Sequence, residues 1–142
     1  MSVMKKVLIA AIGFCLVGCA GMKLPEYSQV KASPYYTDCR AFAMDVYKND
    51  GYSKIAKTTI LSMDDVKARY IVTGGVVAMG KNTVEEVKAD LSAKGSSFGL
   101  ISGACSSAAC RVDVEQQMNA YVLGSYYAAN KKFPDKMKAE FW

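Results

Sequence analysis

The apolar pattern of the chain opens with an unbroken run over residues 7–17, directly after Lys5 and Lys6. Two lysines followed by a short apolar run are the layout of a secretory signal peptide. The run is short for a transmembrane helix, which needs about 20 apolar residues to cross a hydrocarbon core of roughly 30 Å. The pattern therefore predicts that residues 1–18 are a signal peptide outside the folded domain.

Helical periodicity begins near residue 38. Apolar side chains recur there at helical spacing and form one stripe of an amphipathic helix (Cys39, Phe42, Ala43, Val46, Tyr47). Thr37 or Asp38 can cap this helix, and residues 49–51, Asn-Asp-Gly, end it. Residues 52–61 fit a helix and a strand equally well, so both interpretations remain open.

The most apolar segment after the signal covers residues 70–80 and carries no charge. A helix starting near residue 62 leads into it, with Asp64 and Asp65 in the first turn, where acidic side chains interact favourably with the helix dipole. We expect residues 70–80 to be buried on all sides. The Gly74-Gly75 pair indicates a break or a close approach of two backbones, because each glycine destabilises a helix by about 1 kcal/mol relative to Ala.

The clearest helix start is Thr83, because its side chain and that of Glu86 can form a capping box. We expect this helix to end at Lys94, with Gly95 in a left-handed cap. Residues 95–104 are rich in small side chains and predict a loop. Three apolar residues in it alternate enough for a short strand or an apolar plug (Phe98, Leu100, Ile101).

A long helix is predicted from Ser106 or Ser107 to about Asn130, and a last helix from Phe133-Pro134 onward, since proline suits a first helical turn. At 1.5 Å per residue the long helix spans more than roughly 30 Å. The chain is therefore predicted to be mainly α, a small helical domain of four or five helices with room for one short β-hairpin.

Residues 19–37 are predicted to be a tether. Pro25 and Pro34 oppose helix continuation, and small or polar residues surround them. A flexible chain of this length reaches roughly 25 Å. Tyr27, Tyr35 and Tyr36 can pack the end of the tether onto the domain or contact a partner, and we favour packing because Tyr35 and Tyr36 directly precede the first helix. The single domain is then residues 38–142.

Residues 16–19, Leu-Val-Gly-Cys, resemble the lipobox of bacterial lipoproteins. The resemblance implies cleavage before Cys19 and acylation of that cysteine, which would attach the chain to a membrane through its N-terminal lipid. Ala20 and Gly21 follow, with no Asp after the cysteine. In a Gram-negative host this implies a protein held on the periplasmic side of the outer membrane.

The charge is modest. The formal net charge is +5, and it falls to +3 once Lys5 and Lys6 leave with the signal. No basic run exceeds two residues, so nucleic acid is not an expected partner. The glycine-rich phosphate-binding motif is also incomplete, because Asn82 occupies the position at which Ser or Thr would bind Mg²⁺. The sequence gives no evidence of a small-molecule substrate.

The chain contains no histidine. Ser-His-Asp and Cys-His catalytic sites, the usual zinc sites and haem attachment therefore have no basis in this sequence. Two carboxylate pairs stand at helix starts, Asp64 with Asp65 and Glu85 with Glu86, where acids are expected for electrostatic reasons. We predict a protein that is not an enzyme, with no catalytic residue, metal site or cofactor.

The cysteines carry the only covalent chemistry after acylation. Cys39, Cys105 and Cys110 would lie in an oxidising compartment, where one disulfide and one free thiol are expected. Cys105 and Cys110 can pair only if Cys105 lies in a loop, because five residues on one helix separate the Cα atoms too far. We favour that pair, while both pairings of Cys39 remain open.

Two function classes remain. In the first, the chain is a non-catalytic envelope lipoprotein that binds another envelope protein. Its predicted architecture is similar to that of small helical, disulfide-bonded lipoproteins such as secretin pilotins, although no motif is shared. Tyr35, Tyr36, Phe141 and Trp142 are candidate partner contacts. In the second it is a periplasmic inhibitor or immunity protein. Three segments together resemble the Rap1a type of periplasmic immunity protein, although the cysteine spacing departs from that family (residues 70–75, 83–91 and 120–134).

Overall fold

The computed structural model describes residues 24–48 and 64–134. These residues form five α-helices: α1 Tyr27–Ala32, α2 Tyr36–Lys48, α3 Asp65–Met79, α4 Val84–Gly103 and α5 Ala108–Lys132. The predicted mainly helical fold is confirmed. No strand occurs in the described ranges, so the β-hairpin finds no support there.

The centre of the fold is the pair α3 and α5, which run parallel. Lys67 at the start of α3 contacts Asp113 near the start of α5, and Lys132 at the end of α5 donates to the backbone carbonyl of Met79. A Cβ at Gly74 would collide with the backbone carbonyl of Tyr121, and one at Gly124 with that of Ile71. The glycines therefore mark a close backbone approach, and α3 continues through them without a break.

Helix α4 returns antiparallel to this pair and is longer than predicted. The capping box of Thr83 and Glu86 is present. The predicted end at Gly95, and the loop or strand over residues 95–104, were wrong, because α4 continues to Gly103. Phe98 is buried and packs against Val114 of α5. Burial of a large apolar side chain contributes roughly 1.5–3 kcal/mol, more than a helical glycine costs.

The folded body also begins earlier than predicted. Residues 24–37, assigned to the tether, contain α1, in which Val30 is only 1% exposed, and Leu24 packs against the cluster around Phe98. Helix α2 starts at Tyr36, two residues before Asp38. Helix α1 has only six residues, too few to reveal a helical apolar period.

The remaining helix boundaries agree well with the predictions. Ser107 is the N-cap of α5, which ends at Lys132 with Phe133 as its C-cap. Asp64 caps α3, and its side chain accepts from the backbone amide of Lys67. The ambiguous residues 52–61, the helix after Pro134, and both Phe141 and Trp142 lie outside the described residues.

The main core lies between α2, α3, α4 and α5, and α1 contributes Val30 to it. A second, smaller cluster of Phe98 and Val114 closes the end of the bundle where α3 and α5 begin. Within the described residues, no helix combines the length and apolar character that crossing a bilayer requires.

Candidate binding site

Helices α1, α2 and α3 enclose a cleft of about 240 Å³, here called the cationic cleft. Each of the three helices contributes aromatic, basic or aliphatic side chains to it. It is lined by Tyr27, Lys31, Tyr36, Arg40, Ala43, Met44, Asp65, Ala68, Arg69 and Val72.

The aromatic part of the cleft is the pair Tyr27 and Tyr36. The short turn at residues 33–35 brings the start of α2 back to α1, and the two rings meet edge to face with centroids 6.4 Å apart. Two cations lie over the ring of Tyr27: the guanidinium of Arg69 at 5.0 Å and the ammonium of Lys31 at 5.7 Å. These distances allow cation–π attraction, which orients both basic side chains towards the cleft.

The hydroxyl of Tyr27 stays protonated at physiological pH. Burial, followed by the hydrogen bond with Tyr36, raises the pKa of Tyr27 to about 12 despite the opposing charges of Arg69 and Arg40. A phenolate therefore does not neutralise the basic groups of the cleft.

The basic side chains of the cleft are exposed and lack close acidic partners. Within residues 24–48 and 64–134, the ion pairs shorter than 4 Å involve Lys67 and Lys94, and none involves Lys31, Arg40 or Arg69. Asp65 is the one acid among the lining residues. The cleft thus presents three positive charges against one negative charge.

An apolar strip continues from the cleft along α2. Met44 and Tyr47 follow Arg40 by four and seven residues, so all three lie on one helix face. Met44 is 42% exposed and Tyr47 is 57% exposed. Exposed large apolar groups next to unpaired charges are typical of surfaces that contact another protein.

The structure separates the three tyrosines that were predicted to pack or to contact a partner. Tyr36 lines the cleft and packs on Tyr27, whereas Tyr35 is 37% exposed and lies outside the lining. Sequence reasoning identified Tyr27 but missed the basic residues of the cleft, Lys31, Arg40 and Arg69. The spacing of four residues between Tyr27 and Lys31 could have indicated a contact between the two side chains, but only if the segment had been predicted to be helical.

The cysteines fall into two environments. The sulfur atoms of Cys105 and Cys110 are 2.07 Å apart, with Cα atoms 5.6 Å apart, and Cys105 lies between α4 and α5 as the favoured pairing required. Cys39 is free and buried, with its sulfur next to Gly75. Burial, with a smaller contribution from Asp38, raises the pKa of Cys39 to about 11, so this thiol is a poor nucleophile.

One acidic residue of each predicted pair makes capping hydrogen bonds, Asp64 in the first pair and Glu86 in the second. Asp64 accepts from the Lys67 amide, and this backbone hydrogen bond is the main cause that lowers the pKa of Asp64. The backbone amides of Asn82 and Thr83 similarly lower the pKa of Glu86. Among the described residues, no group of three or more His, Cys, Asp or Glu side chains could hold a metal ion.

Comparison with protein-family models, with curated proteins and with solved structures gave no match to this chain.

Proposed function

We propose that this chain is a non-catalytic lipoprotein of the bacterial outer membrane that binds another envelope protein through the cationic cleft and the adjoining face of α2. The anchor is Cys19, on the lipobox-like residues 16–19. The observation that supports a binding role is the combination of three basic groups, which have no close acidic partner within the described residues, and the exposed Met44 and Tyr47.

This combination fits an interface better than a purely structural surface. Charged groups around an apolar patch steer a partner and fix its orientation, while the apolar groups contribute affinity when they lose contact with water. In the described part of the chain the buried cations are paired: Lys94 contacts Asp90 at 2.8 Å, and Lys67 contacts Asp64 at 3.1 Å. The basic groups of the cleft differ from these two lysines because they are exposed and are in no ion pair with a described residue.

Site-specific crosslinking in intact cells tests the proposal. A photoreactive residue replaces Met44 in one variant and Lys88, an exposed residue of α4, in the control. We expect Met44 to give one dominant adduct with an envelope protein and Lys88 to give none. The same adducts from both positions, or none from Met44, would contradict a binding role for this face.

The identity of the captured protein separates two roles. A structural component of an envelope complex supports an assembly, targeting or accessory factor. A lytic enzyme or toxin that loses activity when the purified lipoprotein is added supports the alternative, a periplasmic inhibitor or immunity protein.

A further inference from the structure

We propose that the cationic cleft recognises an acidic segment of the partner protein, whose carboxylates bind Arg40 and Arg69 while a neighbouring apolar side chain packs on Met44. This inference rests on the proposed function and adds the chemistry of the ligand. The two arginines come from different walls of the cleft, Arg40 from α2 and Arg69 from α3. A segment that binds both must lie across the gap between those helices.

The chemistry of the basic groups favours carboxylates. A guanidinium presents a planar set of donors that matches a carboxylate in a bidentate arrangement, and such charge-assisted hydrogen bonds are roughly twice as strong as neutral ones. Arg69 is already oriented by the ring of Tyr27 at 5.0 Å. Less rotational freedom is therefore lost when Arg69 binds a ligand.

The size of the cleft indicates that it binds a few side chains of a partner protein and not a whole cofactor. Its volume of about 240 Å³ lies below the range of roughly 300–1,000 Å³ that is usual for small-molecule pockets. Part of its lining is aliphatic and almost fully buried, because Ala43 and Val72 are each only 2% exposed. Methionine adapts to different apolar shapes, so one flexible side chain of the partner can be accommodated there.

The distribution of charge favours a protein segment over an anionic bilayer. Glu26 directly precedes Tyr27, and Asp65 lines the cleft. A continuous layer of negative head groups would meet both acids together with the arginines. A peptide with spaced carboxylates can contact Arg40 and Arg69 while it places an uncharged residue opposite Asp65.

The test measures binding of a fluorescent Glu/Leu peptide to the full-length acylated protein in detergent micelles. A Gln/Leu peptide of the same length is the uncharged control. The double variant Arg40→Gln/Arg69→Gln is compared with Lys88→Gln/Arg111→Gln, which removes the same charge at exposed positions of α4 and α5. Thermal unfolding of each variant establishes that the fold is retained.

We expect the acidic peptide to bind wild type and the control variant alike, and the cleft variant to bind about tenfold more weakly or worse. Binding should also weaken as salt is raised. Equal losses in both double variants, or equal binding of the Gln/Leu peptide, would overturn the inference. Cleft-dependent binding to phosphatidylglycerol vesicles without peptide binding would also overturn it, in favour of a lipid ligand.

The crosslinking experiment distinguishes failure of this inference from failure of the proposed function. If Arg40→Gln/Arg69→Gln leaves the adduct from position 44 unchanged, the face still binds a partner but does not recognise acidic side chains. If wild type gives no adduct, the proposed function itself is wrong.

Discussion

At the scale of single residues, the buried lysines of the described chain, Lys67 and Lys94, are neutralised by nearby carboxylates. Asp90 accepts from the Lys94 ammonium at 2.8 Å and from the Tyr121 hydroxyl at 2.7 Å. Lys67 is buried between Asp64 and Asp113. An unpaired buried charge would destabilise the fold by several kcal/mol, so these contacts satisfy a structural requirement.

The thiol of Cys39 should make stability fall in alkaline solution. Its pKa is 9.0 when unperturbed and about 11 in the folded protein. Between pH 9 and pH 11 the thiol is deprotonated in the unfolded chain but still protonated in the folded one. The free energy of unfolding is therefore unaffected by this group well below pH 9 and decreases as the pH rises towards 11. In urea unfolding at pH 8 and pH 10, wild type should lose about 1 kcal/mol more than Cys39→Ala.

Tyrosine titration affects wild type and Cys39→Ala alike, so the comparison isolates the thiol. Equal losses of unfolding free energy in the two proteins would mean that Cys39 is not shielded from solvent as the structure describes.

At the scale of the helices, the closest packing is the approach of α3 to α5 at glycine positions. A Cβ at Gly74 would meet the Tyr121 carbonyl, which belongs to the backbone and cannot move without the helix. Gly99 in α4 has nothing within 4 Å of the same added atom. The two glycines are therefore a matched pair: both are helical, and only one has a neighbour.

The substitutions Gly74→Ala and Gly99→Ala should have opposite effects on stability. Gly99→Ala should stabilise by about 0.5–1 kcal/mol, because alanine loses less backbone entropy in a helix. Gly74→Ala should destabilise by about 2 kcal/mol or more, because it forces α3 away from α5. Chemical denaturation measures both changes. Stabilisation by Gly74→Ala would contradict the close approach of the two helices.

The elements that sequence reasoning predicted well are those with local signals. The capping box at Thr83 and the cap at Ser107 need only neighbouring residues, and both are present. The end of α4 was misplaced because Gly95 is a good local stop, while the contact that extends the helix, Phe98 with Val114, joins residues distant in sequence. Helix α1 was missed because its six residues are too few to show a helical apolar period.

In the cationic cleft too, only residues with a local sequence signal could be predicted. Tyr36 was identified because it adjoins a predicted helix. Arg69 was not, because its role depends on the contact with Tyr27 across the bundle. A sequence pattern can place side chains on the face of one helix, but it cannot bring three helices together around a shared cleft.

At the scale of the whole molecule, the position of Leu24 limits how the domain sits relative to its proposed anchor. Leu24 packs with Phe98 and Val114 at the end of the bundle where α3 and α5 begin. Leu24 is the fifth residue after Cys19, and five fully extended steps span at most about 18 Å. If Cys19 is acylated, this end lies close to the bilayer, and the cationic cleft, which opens beside the start of α3, lies near the membrane surface too.

This arrangement depends on Cys19, and substitution tests it. Cys19→Ala should move the protein from the outer-membrane fraction to the soluble or inner-membrane precursor fraction, because several acyl chains at roughly 0.8 kcal/mol per buried CH₂ provide the attachment. Cys15→Ala is the matched control, since Cys15 lies in the predicted signal and should leave fractionation unchanged. Density-gradient fractionation with mass spectrometry of the N-terminal peptide measures both. Outer-membrane recovery of Cys19→Ala with an intact Met1 would show that the lipid is not the anchor, and the cleft would then have no defined distance from any membrane.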